Sequence, residues 1–358
     1  MTNTPFLPPV TVVLDPFDDV THTRAALHAH HPAQGRLTVH PTPAATSPLT
    51  LAYDVLAALG KPVPFAHPSG PRNQQIRNRI AWATAAAWIL TTDITHLTLL
   101  RAHLLPPSCW QHLLTLRAHT GIRLQAVCHR PTVPTALTRA LATVPHHLAD
   151  AAALLPPTDP KPDIAASAVP RRPTNRWITL PALARLGERS RHEPPRPGCG
   201  CTPRSRRFPA RTFARLRPPV VPRLRQATAA EILRRLDAAT AHPRPAAAVV
   251  ATVLTAASTA QLVWTRATDL SPDADALLLH DPSGYHYGCV EYPVPPWARR
   301  SLIAARHLTW ITSGVSAFLF VDPSDPHGIA PELPALADRC RLRARAPQPP
   351  PSRRRGTR

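Results

Sequence analysis

Short apolar runs and longer helical patterns alternate through the first 150 residues of the chain. The apolar runs predict strands, and segments with apolar residues three or four positions apart predict helices between them. The predicted strands are Val10–Leu14, Leu37–His40, His96–Leu100 and Arg123–Cys128. The predicted helices are Thr21–His31, Pro48–Leu59, Ile76–Leu90, Pro107–Thr120 and Pro134–Ala142. Strands separated by helices of this length predict an α/β domain with a parallel sheet.

The regular pattern stops after residue 150 and returns at Ala227. Prolines and arginines crowd the segment between, where only Leu180–Leu186 has a helical pattern, so a largely extended linker is predicted. Beyond it, helices are predicted at Ala229–Ala239, Pro245–Ala257, Thr259–Ala267 and Pro295–His307. The remaining predicted elements are a hairpin of Leu277–His280 and Gly288–Tyr292 turned at Asp281–Gly284, and a last strand, Ala317–Val321.

The chain is therefore predicted to have four parts. An α/β domain at 1–150 is followed by a Pro/Arg-rich linker at 151–226. A mainly helical domain with a β-hairpin covers 227–338, and a basic, disordered tail covers 339–358. The 47 prolines argue against one continuous globule, the low count of 12 glycines excludes collagen, and an apolar content of 44% excludes wholesale disorder.

The net charge of +21 is confined to two segments. Residues 161–230 have a net charge of +13, residues 339–358 have +8, and the other 268 residues are neutral in sum. Basic segments on a neutral body predict contact with a polyanion, because guanidinium groups pair with phosphates and displace their counterions. Two alternatives remain: arginine that only keeps disordered segments in solution, and an anionic membrane surface, for which neither segment has an apolar face. The candidate nucleic-acid-binding residues are Arg204, Arg206, Arg207, Arg211, Arg215, Arg217, Arg353, Arg354 and Arg355.

Other features of the sequence set the expected compartment. No signal peptide is visible and the six cysteines are scattered, which predicts a cytoplasmic protein with free thiols. The apolar stretches 80–100 and 245–264 contain polar residues and are interpreted as buried helices, so no membrane partner is predicted. His192 with Cys199 and Cys201 supplies only three zinc ligands, and neither a metal nor a cofactor is predicted.

The segment Ile94–Arg130 has the order of a strand, a helix and a second strand. It resembles the Walker B region of P-loop ATPases of the AAA-like class that serve transposition and related mobile elements. In that family the first strand ends in two acidic residues, but here Arg101 and Ala102 follow it. A phosphate loop is also missing, since the turn after the first strand contains Asp15, Asp18 and Asp19 and no glycine. The resemblance therefore implies a degenerate nucleotide-binding fold without ATP hydrolysis, and the alternative is an ordinary α/β domain.

Residues 255–271, TAASTAQLVWTRATDLS, form the second segment with a resemblance. They are similar to the part of tyrosine recombinases, the phage-integrase family, that presents the first catalytic arginine. Ser258 occupies that arginine's position, and serine cannot stabilise the scissile phosphate as a guanidinium does. The chain also lacks the family's His-x-x-Arg box before a terminal tyrosine. A generic helical domain with a hairpin is the alternative interpretation.

The two resemblances and the charge distribution predict a non-catalytic DNA-binding accessory protein of mobile-element integration or recombination machinery. Its expected partners are DNA and a recombination or transposition protein. Two other hypotheses stay open. One is an active recombinase or ATPase subunit that a partner chain completes, and the other is a decayed product without function.

Overall fold

The computed structural model describes residues 7–43, 47–62, 71–154, 176–187, 224–280, 290–315, 317–322 and 329–344. The chain divides into two compact units. The first unit contains residues 1–171, 240–243 and 303–315, and the second contains 172–239, 244–302 and 316–358. Two short pieces from the C-terminal half of the chain thus belong to the first unit.

The first unit is built on a parallel sheet. Its strands are β1 (Val10–Leu14), β2 (Arg36–Val39), β3 (His96–Leu99), β4 (Arg123–Cys128) and β5 (His146–Asp150). They lie in the order β2-β3-β4-β1-β5, and every neighbouring pair is parallel. The predicted α/β class and its four predicted strands are confirmed. The pattern did not predict β5, because this edge strand exposes His146, His147 and Leu148 and has no apolar run.

Helices connect these strands. They are α1 (Val20–His28), α2 (Pro48–Ala58), α3 (Pro71–Thr91), α4 (Pro107–Thr120) and α5 (Thr135–Leu141). Their boundaries follow from local chemistry, since the Ser47 hydroxyl accepts a hydrogen bond from the Thr50 N–H at the start of α2. Gly121 ends α4 with a φ of 71°, a left-handed conformation that glycine adopts without a steric penalty.

The core of the first unit lies between the sheet and its helices. Val12, Leu97 and Leu124 are buried in three adjacent strands. Trp88 and Trp110 are fully buried among them, although aromatic residues make up only 5% of the chain. The Trp88 indole N–H donates to the Ala241 carbonyl over 2.7 Å, so a satisfied hydrogen bond accompanies its burial.

The second unit is mainly helical. Its elements, in chain order, are β6 (Ile178–Thr179), α6 (Gln226–Ala239), α7 (Pro243–Thr255), α8 (Thr259–Trp264), β7 (Ala276–Leu279), β8 (Val290–Pro293), α9 (Pro296–Ser313), α10 (Ile329–Arg339) and β9 (Leu342–Arg343). From residue 303 onward, α9 belongs to the first unit. Strands β7 and β8 form an antiparallel hairpin, as predicted, and β6 pairs with β9 in parallel.

Several predictions for this half of the chain need correction. Residues 317–321 are not a strand, and only Phe318 forms an isolated bridge, to Arg266. The helical pattern at 180–186 is a 3₁₀ helix, Pro181–Gly187, which follows β6. Helix α10 was missed because prolines within it, one of them Pro334, argue against a helix interior. The turn predicted at 281–284 lies outside the described residues.

The position of β9 also bears on the predicted tail. Helix α10 ends at Arg339 and β9 is Leu342–Arg343, so the segment 339–358 begins with the end of a helix, a turn and a short strand of the second unit. Within the described part of the chain, no helix combines the length and apolar character that crossing a bilayer requires.

Candidate functional site at the carboxyl edge of the sheet

The strand order identifies one edge of the sheet as a candidate site. Strand β4 lies beside β1, yet the chain leaves β1 toward β2 at one edge and leaves β4 toward β5 on the other side of β1. In open α/β sheets, ligands bind where neighbouring connections diverge in this way, outside the carboxyl ends of the strands. The residues that follow β1, β3 and β4 therefore form the candidate site.

Asp15 is the first residue after β1, and only 1% of its side chain is exposed. Its Oδ1 lies 3.3 Å from His22 Nδ1, and its Oδ2 lies 3.1 Å from His129 Nδ1. The backbone N–H of Asp19 also donates to Oδ1 over 3.3 Å. A carboxylate this deeply buried needs such partners, because an unpaired charge there is strongly destabilising.

Asp18 approaches the same imidazole from the surface of the turn. Its Oδ1 lies 3.0 Å from His129 Nδ1, while its Oδ2 accepts a hydrogen bond from Arg101 Nη1 over 2.7 Å. Asp18 and Arg101 have φ values of 52° and 53°, in the left-handed region. This conformation costs a non-glycine residue on the order of 1 kcal/mol or more, and the ion pair joins two residues that both adopt it.

His129 follows β4 and lies at the centre of the group. Its side chain is 1% exposed, and its Nδ1 contacts both carboxylates, while Nε2 has no hydrogen-bond partner among the described residues. Burial lowers the pKa of His129, the Arg101 charge lowers it further, and the two carboxylates oppose that shift. We call Asp15, Asp18, Arg101 and His129 the carboxyl-edge cluster.

His103 supports the imidazole from beside it. The His103 ring lies edge-on to that of His129, with 6.0 Å between the ring centroids. Its Nδ1 accepts a hydrogen bond from the backbone N–H of His129 over 3.3 Å. Burial lowers the pKa of His103 too, so the pair favours two neutral rings near neutral pH.

The third carboxylate of the turn has a different task. Asp19 is the N-cap of α1, and its carboxylate accepts a hydrogen bond from the Thr21 N–H over 2.7 Å. This bond lowers the pKa of Asp19. Of the three aspartates in this turn, Asp15 and Asp18 therefore converge on His129, and Asp19 caps a helix. A capping carboxylate at this helix start opposes phosphate binding, which uses the same amides.

The cluster brings together two carboxylates and one imidazole. One ligand atom from each of Asp15, Asp18 and His129 can be chosen so that all three lie within 4.8 Å of one another. Oxygen and nitrogen donors at such spacing are suited to a cation. Sequence reasoning placed Arg101 and the two aspartates near this edge but missed His129, because only the strand order shows that β4 lies beside β1.

The nine predicted nucleic-acid-binding arginines lie outside the described residues, as do His192, Cys199 and Cys201. They are Arg204, Arg206, Arg207, Arg211, Arg215, Arg217, Arg353, Arg354 and Arg355. Parts of both basic segments are described, however, and the structure joins them. The N–H of Ile178 donates to the Arg341 carbonyl over 3.0 Å, and that of Leu180 donates to the Arg343 carbonyl over 2.8 Å.

An aromatic side chain lies where the segments meet. Trp177 is 43% exposed, and the Arg343 guanidinium lies 5.4 Å from the centroid of its ring. Arg176 and Arg341, which precede β6 and β9, are also exposed. We call Arg176, Trp177, Arg341 and Arg343 the basic platform. From the sequence, Trp177 beside Arg176 is the tryptophan best placed to stack on bases. Its pairing with the second basic segment was not predicted, because β6 and β9 are two-residue strands without a pattern of their own.

The serine at the recombinase-like position has a structural task. Ser258 is the N-cap of α8, and its hydroxyl accepts from the Gln261 N–H while the Gln261 side chain accepts from the Ser258 N–H. This capping box satisfies two amides at the helix start. Nearby, Asp269 contacts His280 Nε2 at 3.0 Å and accepts from the Arg266 N–H at 2.7 Å. These contacts explain the residues as local structure and assign them no phosphate chemistry.

A cavity of about 720 Å³ is also present in the first unit, beside α3 and α4. Trp82 lines it, stacked on His112 with 5.5 Å between ring centroids, and the Asn78 amide contacts His112 Nε2 at 3.0 Å. No carboxylate lines this cavity within the described part of the chain. It offers space and an aromatic wall, whereas the carboxyl-edge cluster holds the ionisable groups that are in mutual contact.

Comparison with known proteins adds no assignment: no protein-family model, no curated protein and no solved structure matches this chain. The resemblances to P-loop ATPases and to tyrosine recombinases remain predictions.

Proposed function

We propose that this protein is a DNA-binding protein without catalytic activity of its own, acting as an accessory to the integration or recombination of mobile elements. The observation that carries this proposal is the pairing of β6 with β9, because each strand belongs to one of the two basic segments. Residues 161–230 and 339–358 together account for the whole net charge of +21. The strand pair joins the described parts of the two segments, Ile178–Thr179 and Leu342–Arg343, within the second unit.

The chemistry of the basic platform suits nucleic acid. Its arginines offer planar groups with several donors, which match phosphate oxygens. A half-exposed tryptophan next to a guanidinium is the kind of surface on which bases stack, whatever their sequence. Contacts of this kind predict affinity for DNA with little preference among sequences, since phosphate contacts position a protein but do not read bases.

Two features support a non-catalytic role. Arg101, at the position that corresponds to a Walker B acid, pairs with Asp18, and Asp19 caps the helix whose start would face phosphate. Ser258, at the position that corresponds to a catalytic arginine, caps α8. The two resemblances also point to the same biology, although each lacks its catalytic groups.

We further propose that the protein acts in the cytoplasm, with thiols that stay reduced. Cys109, Cys128 and Cys340 are buried and free, and burial raises the pKa of each thiol to about 11. Thiols of this kind are inert structural residues, since the thiolate is the reactive form.

A binding titration tests the proposed function. Labelled duplex DNA of random sequence is titrated with the full chain at several salt concentrations, and each phosphate neutralised adds about −0.9 to the log–log slope. Absence of binding at low salt overturns the proposal. Replacing Arg341 and Arg343 by glutamine should weaken binding and flatten the slope. The matched control replaces Arg24 and Arg139, two exposed arginines of the first unit, and should leave both unchanged.

A second assay separates binding from catalysis. The protein is incubated with supercoiled DNA, with and without ATP, and the products are separated under denaturing conditions. We expect no covalent protein–DNA adduct and no change in topology that depends on ATP. An adduct would favour the alternative hypothesis of a recombinase completed by a partner chain.

A further inference from the structure

The carboxyl-edge cluster brings two carboxylates to one nitrogen of a buried imidazole. Asp15 and Asp18 both approach the single Nδ1 of His129, at 3.1 and 3.0 Å. Arg101 pairs with Asp18, while Asp15 contacts His22 and accepts from the Asp19 N–H. Asp15 is almost wholly buried, whereas 44% of the Asp18 side chain is exposed.

We propose that Asp15, Asp18 and His129 bind a divalent transition-metal ion between them. The buried imidazole distinguishes this group from an acidic turn, because its Nδ1 lies within 3.1 Å of one oxygen of each carboxylate. An ion between the carboxylates would be bound by the Nδ1 lone pair, and the proton of the neutral ring would then be on Nε2. The strand order places the group at the divergence of β1 and β4, where ligands of open α/β sheets bind.

The distances between the ligand atoms fit a six-coordinate transition-metal ion. Six-coordinate ions with metal–ligand bonds of about 2.1 Å place neighbouring ligand atoms about 3 Å apart. The contacts of 3.0 and 3.1 Å between His129 Nδ1 and the two carboxylate oxygens match that spacing. Three protein ligands leave further positions for water, and the 44% exposure of the Asp18 side chain gives solvent a route to them.

The types of ligand atom limit which metal ions the site favours. Carboxylates alone suit magnesium, calcium and manganese, while imidazole favours the later first-row ions. A mixed set of two carboxylates and one imidazole therefore favours ions from manganese to zinc over magnesium. Arg101 limits the affinity, because its positive charge lies 2.7 Å from the other oxygen of Asp18.

The experiment uses the full chain without DNA, so its result is independent of the proposed function. Mn²⁺ is the first probe, since thiol ligands elsewhere in the chain bind it poorly. Free Mn²⁺ is measured by electron paramagnetic resonance during a titration of the wild type, D18N and D19N. We expect one Mn²⁺ site in the wild type, at least tenfold weaker binding in D18N, and no change in D19N.

D19N is the matched control. It removes a carboxylate from the same turn but keeps the helix cap, because asparagine caps as well as aspartate. Both variants alter partly exposed side chains, and circular dichroism verifies that they fold. Equal Mn²⁺ binding by D18N, D19N and the wild type would overturn the proposal, as would no binding by any of them.

Two more variants sharpen the result. R101Q removes the competing positive charge, so we expect it to bind Mn²⁺ more tightly than the wild type; weaker binding would contradict the proposed geometry. Co²⁺ reports on the imidazole, because a nitrogen ligand alters its visible absorption. We expect H129A to lose that spectrum, and an unchanged Co²⁺ spectrum in a folded H129A protein would remove His129 from the site.

Discussion

The carboxyl-edge cluster of the first unit and the basic platform of the second unit hold charge in opposite ways. In the cluster, Asp15 and His129 are buried, and His129 Nδ1 lies 3.1 Å from Asp15 Oδ2. In the platform, Arg176 and Arg341 are exposed at a junction of two segments that contain few acids. The cluster thus contains buried ionisable groups in mutual contact, whereas the platform leaves arginines exposed to solvent.

This difference indicates what each region can bind. A buried carboxylate such as Asp15, next to a fixed imidazole, would select a small cation by geometry, and solvent screens it little. Exposed arginines act together on an extended anion, through interactions that salt weakens steeply. One chain can therefore contain a site whose affinity depends on ligand geometry and another whose affinity depends on ionic strength.

We expect the largest effect on DNA affinity from removing arginines of the two basic segments. Replacing Arg204, Arg206, Arg207, Arg211, Arg215 and Arg217 by alanine and deleting 345–358 removes eleven arginines. We expect DNA affinity near physiological salt to fall by orders of magnitude, with a slope reduced by about 0.9 for each phosphate that the variant no longer neutralises. The deletion starts at 345 because α10 and β9 occupy the residues before it.

Thermal unfolding of this variant serves as its control, and we expect a transition like that of the wild type. If the variant still bound some DNA sequences as tightly as the wild type and failed to bind others, the segments would be reading bases. Such selectivity would contradict the comparison, since DNA affinity would then depend on the geometry of the ligand and not only on ionic strength.

Acidification should lower the free energy of unfolding of the first unit, which contains the carboxyl-edge cluster. Burial lowers the pKa of six histidines of the first unit: His30, His96, His103, His112, His129 and His307. Because the folded state resists their protonation, the free energy of unfolding is greatest above about pH 6.5 and falls as the pH decreases from there. Hydrogen exchange of β1, β3 and β4 amides, corrected for intrinsic rates, should show earlier opening at pH 5.5 than at pH 7.5. Equal protection at both pH values would contradict this account.

Replacing Trp177, the aromatic residue of the basic platform, should have a smaller effect on DNA affinity. Trp177→Ala removes one stacking surface, worth about 1–3 kcal/mol where a base stacks on it. We expect weaker binding of single-stranded DNA with an unchanged salt slope, measured by anisotropy, and Trp177→Phe should retain most of the affinity. A flattened slope in Trp177→Ala would mean that the ring only positions Arg343.

For ATP binding we expect no effect at all. The first unit should show no measurable heat on titration with ATP and magnesium, because Asp19 caps α1 and no glycine in the turn allows close approach to phosphate. Micromolar ATP binding would show that the carboxyl edge opens to a polyanion. The contrast between the two regions would then fail.

The elements that sequence predicted best are those whose signals are local. Strand β1 and helix α4 have the predicted bounds, because an apolar run and a glycine stop define them without tertiary information. Strand β5 and helix α10 were missed for the same reason, since one is a polar edge strand and the other contains prolines. Tertiary packing, which outweighs local preference, decides both.

The candidate sites depend even more on interactions between distant residues. Asp15 and His129 are 114 positions apart and meet only because β4 lies beside β1. The sequence contained a signal, since both residues immediately follow predicted strands, but no rule of spacing connects them. The basic platform likewise requires a parallel pair of two-residue strands, which no periodicity can reveal.

The pairing of β6 with β9 also has a consequence for folding kinetics. Thr179 and Arg343 are 164 positions apart, and closing a loop of that length costs about 4–5 kcal/mol in chain entropy before any interaction is gained. So distant a pairing forms late and opens early. A polyanion that binds the closed pair more tightly than the open segments stabilises, by mass action, the end of the folding reaction. DNA would then act on this protein as a folding ligand, completing the second unit as it binds.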